Sequence, residues 1–235
     1  NAATMVQNIR PGSSSSYPSG LTVFNSKLYF SADDGTNGYE LWAYDGTNAA
    51  TMVQNIWPGL TGSYPYGFTV FNSKLYFGAN DGTNGGELWA YDGTNAATMV
   101  QNIRPGSSSS NPTGFTVFNS KLYFGANDGT HGTELWVYDG TNGTVIDINP
   151  TGRGIDDEMG PDPRFANTSM GLFFTGSDGT TGFELWSIAP ATAAAPAPAP
   201  YTGPLLQDFS SRTLDVCTPK SITITGIRLL GATAS

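Results

Sequence analysis

The segment NAATMVQNI opens at Asn1, Asn48 and Asn95, each 47 residues after the last, and a looser copy opens at Asn142. A fixed period of this length marks a repeat architecture, in which each unit is one supersecondary element that cannot bury its apolar face alone. The three close copies differ at few positions, among them Arg10, Trp57 and Arg104. Most positions are therefore repeated scaffold. Specific chemistry must sit where the copies diverge, or outside them.

Within the first copy, the β-prone run Thr4 to Ile9 is followed by the breaker Arg10-Pro11-Gly12 and a serine-rich loop. LTVF and KLYFSA then flank the polar pair Asn25-Ser26, which reads as a hairpin. Asp34 to Gly38 is a second turn, and ELWAY is a further strand ending at Asp45-Gly46-Thr47. Four short strands per repeat, with no helical period, is the content of a propeller blade.

The phase of the repeat predicts how such blades close. With LTVF innermost, KLYF second, ELWAY third and the following TMVQNI outermost, the first strand of the chain has no blade. The fourth copy supplies Phe165 to Ser169, Leu172 to Thr175 and Phe183 to Ile188, then runs into Ala189-Pro190 without an outer strand. The expected fold is an all-β, four-bladed propeller over residues 1–188. Thr4 to Ile9 completes the last blade and closes the ring by strand pairing. Trp42, Trp89, Trp136 and Trp186, with Tyr44, Tyr91 and Tyr138, are expected to pack between blades. Large rings on a sheet buried on both sides fit core packing better than a row of sugar platforms.

Charged residues make up only 12% of the 235-residue chain and the formal net charge is −9. This composition fits a folded, polar surface and not a disordered polyelectrolyte. The few basic residues are scattered, which excludes a phosphate-neutralising nucleic-acid surface. No apolar run reaches the roughly 20 residues a membrane helix needs. The chain has no initiator Met and starts on a repeat boundary, as expected for a mature form or a segment of a longer protein.

ELWAYDGT at Glu40 to Thr47 and Glu87 to Thr94, and ELWVYDGT at Glu134 to Thr141, resemble the bacterial ELWxxDGT repeat family. TNGTVIDI, from Thr141 to Ile148, is similar to that family's usual continuation. The fourth copy keeps Glu184, Leu185 and Trp186 but loses the DGT turn. The resemblance spans roughly residues 1–188 and implies an exported or surface location. It carries over no catalytic residue.

The residue inventory gives no catalytic constellation. His131, the only histidine, replaces Asn37 and Asn84 in a surface turn and has no recognisable nucleophile to serve. The repeated Glu40, Glu87, Glu134 and Glu184 occupy equivalent environments, which argues against separate acid and base roles in glycoside hydrolysis. Oxygen donors recur in the DGTNG loops, but Asp-Gly is foremost a hairpin signal and the alternating calcium-loop pattern is missing. A single cysteine rules out an internal disulfide and a multi-cysteine metal site. No metal, cofactor or enzymatic role is expected.

Two departures from the repeat stand out. The second copy carries Trp57, Leu60, Tyr64 and Tyr66 in one loop, a candidate contact for a glycan or a protein partner. The fourth carries an acidic insertion with Asp156, Asp157, Glu158 and Asp162, read as a solvated loop. Asn142 and Asn167 open N-glycosylation patterns, whereas Asn111-Pro112-Thr113 is excluded by its proline.

Beyond the ring the composition changes. The Ala/Pro-rich stretch, residues 189–204, favours a polyproline arm of about 3.1 Å per residue. Residues 205–235 form a β-prone tail too short for its own core. Its apolar anchors are Ile222, Ile224, Ile227 and Leu229, with Cys217 just before them. A stiff spacer ending in an unpartnered strand predicts addition to the sheet edge of another subunit. Contacts of this kind that do not close generate filaments. The expected function is an extracellular structural protein that polymerises head to tail through this arm. The alternative is a secreted, lectin-like propeller binding glycans through Trp57, Tyr64 and Tyr66.

Overall fold

A computed structural model describes residues 2–155 and 165–191. All regular structure among them is β, in four antiparallel sheets, each a meander of sequence-adjacent strands. Blade 1 contains β1 (Ser19–Phe24), β2 (Lys27–Asp33), β3 (Tyr39–Tyr44) and β4 (Thr51–Gln54). Blade 2 contains β5 (Tyr66–Phe71), β6 (Lys74–Asn80), β7 (Gly86–Tyr91) and β8 (Thr98–Gln101). Blade 3 contains β9 (Thr113–Phe118), β10 (Lys121–Asn127), β11 (Thr133–Tyr138) and β12 (Gly143–Ile146). Blade 4 has three described strands, β13 (Phe165–Thr168), β14 (Gly171–Gly176) and β15 (Glu184–Ile188).

The local chemistry explains the hairpins. Asn25 and Ser26 both take left-handed backbone, with φ of 46° and 60°, and the equivalent Asn72-Ser73 and Asn119-Ser120 do the same. Two successive left-handed residues make the turn whose twist matches that of the flanking strands. Asn tolerates this conformation through its short polar side chain, so the pair substitutes for Asn-Gly. The DGT turns are held differently: Asp45 Oδ1 accepts the Thr47 and Asn48 backbone N–H groups at 2.9 and 2.8 Å. The Asn48 amide adds a third bond to Oδ2 at 2.7 Å. These bonds, the Asn48 side chain foremost, hold the exposed Asp45 carboxyl down to about 2.

Strand alternation sends one side of each blade against its predecessor and the other against its successor. Tyr29, Leu41 and Phe24 of blade 1 thus meet Leu75, Phe77, Trp89 and Tyr91 of blade 2. The same packing recurs between blades 2 and 3, and between blades 3 and 4. Trp89, Tyr91, Trp136 and Tyr138 lie between blades as expected, and Trp186 packs half-buried against the blade 3–blade 4 cluster, whereas Trp42 and Tyr44 face the outer side of blade 1, against Ile9 and not against another described blade. A blade-crossing glycine contact fixes the inner strands. Gly20, at φ 68°, lies under the Phe68 ring, where a Cβ would come within 2.6 Å of it; Gly67 meets Phe115 likewise.

The expected ring closure is not formed. Thr4 to Ile9 is not a strand, and β15 carries no fourth strand among the described residues. Inner strands pack β1 on β5, β5 on β9 and β9 on β13, but no comparable packing joins β13 to β1. The segment lies instead across the outer side of blade 1, where Ile9 packs against Phe30, Ala32, Trp42 and Ala50. Gln7 Oε1 accepts the Ala50 N–H at 2.5 Å. That bond reproduces those of Gln54 to Ala97 and Gln101 to Gly143. The segment therefore sits on blade 1 as each outer strand sits on the next blade, without the rest of a preceding blade behind it. Cys217, Ile222, Ile224, Ile227 and Leu229, the linker from residue 192 onward and the acidic insertion at 156–164 lie outside the described residues.

Candidate functional site

The glutamate of each ELW strand is the most connected polar group of the repeat. Glu40 is fully buried and accepts the backbone N–H groups of Ile56, Trp57 and Ser63 at 2.9, 3.1 and 3.1 Å, and the Ser63 hydroxyl at 2.5 Å. It thereby clamps the connector that carries the chain from blade 1 to blade 2. Glu87 does the same for Ile103, Ser110 N and Ser110 Oγ, at 2.8, 3.1 and 2.7 Å. Burial pushes both carboxyls up, and the hydrogen bonds pull part of the way back.

Glu134 is the variant member. Gly154 stands where Ser63 and Ser110 stand, as shown by the bonds from Asn80, Asn127 and Ser177 N–H to the three carbonyls. With that hydroxyl missing, Glu134 Oε1 is buried without a partner while Ile148 N–H donates to Oε2 at 2.9 Å. Desolvation, and to a lesser degree the Asp147 charge, push this carboxyl up to about 7. The sequence signal was the loss of serine in the fourth copy, visible only once Glu134 is known to face that position.

Glu184 and Leu185 break the pattern entirely. Leu41, Leu88 and Leu135 are 0% exposed, whereas Leu185, in the same ELW motif, is 76% exposed. Glu184 is exposed and accepts none of the connector bonds that its three counterparts make. At the other end, Leu21 occupies the position of the half-buried Phe68 and Phe115 and is 64% exposed. Met5 and Val6 are exposed where Met52 and Val53 are half-buried. An apolar groove of about 230 Å³ opens here, lined by Val6, Ile9, Leu21, Leu28, Phe30 and Tyr44 among others. The two ends thus expose the two halves of an interface that the chain buries three times internally.

The aromatic loop of blade 2 divides. Trp57 lies against the Gly82 turn, where a Cβ would meet Nε1 at 2.5 Å, and Tyr66 covers Gly78 in the same way. Tyr64 stacks on Tyr39 of blade 1, centroids 5.0 Å apart, and is 53% exposed. The three rings are not brought together as one platform. Arg10 and Arg104 cover Gly35 and Gly129 as Trp57 covers Gly82, so the tryptophan takes over a packing role. Arg10 also pairs with Asp33, while Arg104 has Asn127 at that position and lies beside a polar pocket of about 240 Å³ with Ser109, Ser110 and Asn111.

His131 is held by Asp128, Nδ1 to Oδ2 at 2.8 Å, which raises the imidazole and, with the backbone N–H of His131, lowers the carboxyl. Asn142 is exposed in the turn before β12, and Asn167 donates its side-chain amide to Val117 O at 2.7 Å. No group of three or more His, Cys, Asp or Glu side chains among the described residues could hold a metal.

No protein-family model and no curated protein matches this chain. Among solved structures, it is similar to one described as a "Structural and Mechanistic Analysis of Two Prolyl Endopeptidases", at 13% identity and TM-score 0.41. That match covers 71% of this chain and 26% of the other. A Bacteroides ovatus xyloglucan PUL GH43B structure matches at 17% identity and TM-score 0.40, over 76% of this chain and 38% of its own. Zg3597, a family 117 glycoside hydrolase of the marine bacterium Zobellia galactanivorans, matches at 14% identity and TM-score 0.37, over 74% and 69%. The chain spans well under half the length of the first two.

Proposed function

We propose that this chain is an extracellular structural protein, a subunit of a filament or surface assembly built head to tail. The observation that carries the reading is the exposure of Leu185 at 76%, where its three counterparts are fully buried. An exposed ELW strand at one end and an exposed outer-strand segment with its groove at the other fit an unsatisfied, self-complementary pair. A heterologous contact of that kind propagates. The pairing of Thr4 to Ile9 with β15 belongs to this proposal, since it supplies an outer strand that blade 4 does not have among the described residues. So does the C-terminal arm, whose Ile222, Ile224, Ile227 and Leu229 add an apolar strand to the contact.

The test is the size of the purified full-length chain, by sedimentation velocity and negative-stain microscopy. Large, concentration-dependent assemblies are expected, and a synthetic Ser221 to Ser235 peptide should shorten them. A chain that stays a single particle at high concentration refutes the structural role.

A further inference from the structure

Blades 1 and 2 share one pairing register between the ELW strand and the outer strand, and it specifies what the exposed ends lack; blade 3 pairs Leu135 with Ile146, Trp136 with Val145 and Val137 with Thr144, without the register shift. In blade 1 the β3–β4 pairing is Leu41 with Gln54, Trp42 with Met52 and Ala43 with Thr51. Blade 2 repeats it as Leu88 with Gln101, Trp89 with Met99 and Ala90 with Thr98. Moving back one 47-residue period turns the outer-strand members Gln54, Met52 and Thr51 into Gln7, Met5 and Thr4. The equivalent ELW residues at the chain's other end are Leu185, Trp186 and Ser187. The Glu40 bonds translate in the same way: the donors Ile56, Trp57 and Ser63 become Ile9, Arg10 and Ser16, and the acceptor becomes Glu184.

We propose that β15 of one copy receives Thr4 to Gln7 of a second copy as its fourth strand, with Leu185 opposite Gln7, Trp186 opposite Met5 and Ser187 opposite Thr4. Glu184 then takes the Ile9 and Arg10 backbone N–H groups and Ser16 of that copy. Leu185 enters the groove formed by Leu21, Leu28 and Phe30. The surface is a fourth blade junction, continuous in design with the three inside the chain, which is why its occupant is another copy of the same repeat and not an unrelated protein. A second copy, and not the chain's own other end, fills it. Within one chain β13 and β1 do not pack as the other inner strands do, and Met5, Val6 and Leu185 stay 78%, 65% and 76% exposed. Gln7 is already placed for the task by its bond to Ala50, so the acceptor side is preformed. Pre-organisation of this kind lowers the ordering cost of association.

This contact rests on the assembly role proposed above but is separable from it. In a Cys217→Ser background, one variant carries Thr4→Cys and another Ser187→Cys. The two are mixed and oxidised, and crosslinks are read on a non-reducing gel. Directly opposed strand residues lie within reach of a disulfide. The proposal predicts a heterodimer from the mixture and a ladder of multimers from the doubly substituted chain. Glu184→Ala should weaken association at least tenfold while leaving the melting of the dissociated chain unchanged, because its carboxylate holds no partner there. A doubly substituted chain that loses both thiols yet runs as a monomer shows closure within one chain and overturns the proposal. Assemblies that form normally with no crosslink in either format overturn this contact but leave the assembly role standing. Absence of assembly in the unsubstituted chain removes both.

Discussion

Replacing the same motif residue at two places in the repeat separates the blade clamp from the exposed copy. Glu87→Ala removes the acceptor for two buried N–H groups and one hydroxyl, at 2.8, 3.1 and 2.7 Å. A buried donor left unsatisfied costs about 1–3 kcal/mol, and three that share one acceptor do not add in full. Burial already pushes the Glu87 carboxyl up, so part of the loss is offset by relief of a desolvated charge. The expected net loss is about 3 kcal/mol, since the groups left behind are neutral donors and no buried charge remains. Glu184→Ala removes an exposed side chain and should stay within about 0.5 kcal/mol, as surface substitutions do. Urea denaturation at a concentration low enough to dissociate assemblies measures both. A repeat protein can melt in parts, so the fluorescence and far-UV transitions must coincide before a free energy is assigned. A Glu87→Ala loss below about 1 kcal/mol, or equal losses at the two sites, would refute the clamp.

Further outcomes follow from the same geometry. Glu134 is pushed up to about 7 from an ordinary 4.5. The folded chain therefore binds more protons than the unfolded one between these values, and its stability should fall as pH rises from about 4.5 to 7. Glu134→Gln should flatten that slope in a pH series of denaturation midpoints, and an unchanged slope would contradict the assignment. Ser26, Ser73 and Ser120 sit at φ of 60°, 57° and 56°. Changing any one to glycine should stabilise by about 0.5 kcal/mol, the left-handed strain relieved less glycine's own entropy cost. Trp57→Ala should cost about 1–2 kcal/mol of apolar cover over Gly82 yet leave sedimentation unchanged, whereas weakened association would make that loop a contact surface.

The strand content was legible because the chemistry repeats. LTVF, KLYF and ELWAY alternate in step with the pleat, and Asn-Ser and Asp-Gly-Thr supply turns that need left-handed backbone or an Asx bond. The tryptophan rows were legible for the same reason: only a sheet buried on both sides accommodates them in every copy. The clamp was not, since Glu40 reads as one more polar residue in a strand until its position opposite Ile56 and Ser63 is seen. Closure was inferred from counting strands, which fixes how many are missing but not the angle between blades, and among the described residues Thr4 to Ile9 forms no strand on β15. Trp57 read as a candidate contact for a glycan or a protein partner because a loop aromatic looks accessible in sequence. Its equivalence with Arg10 and Arg104 over the DGT turn emerges only from packing.

In the proposed assembly, the exposed N-terminal segment and β15 are two halves of one blade junction, completed between copies. Cryo-electron microscopy of the purified full-length protein tests it most directly. The expected image is a head-to-tail assembly in which Thr4 to Gln7 of each copy forms the outer strand on β15 of its neighbour, with Glu184 against Ile9 and Arg10. Discrete particles in which β15 is bare, or in which it is paired with Thr4 to Gln7 of the same chain, would contradict it.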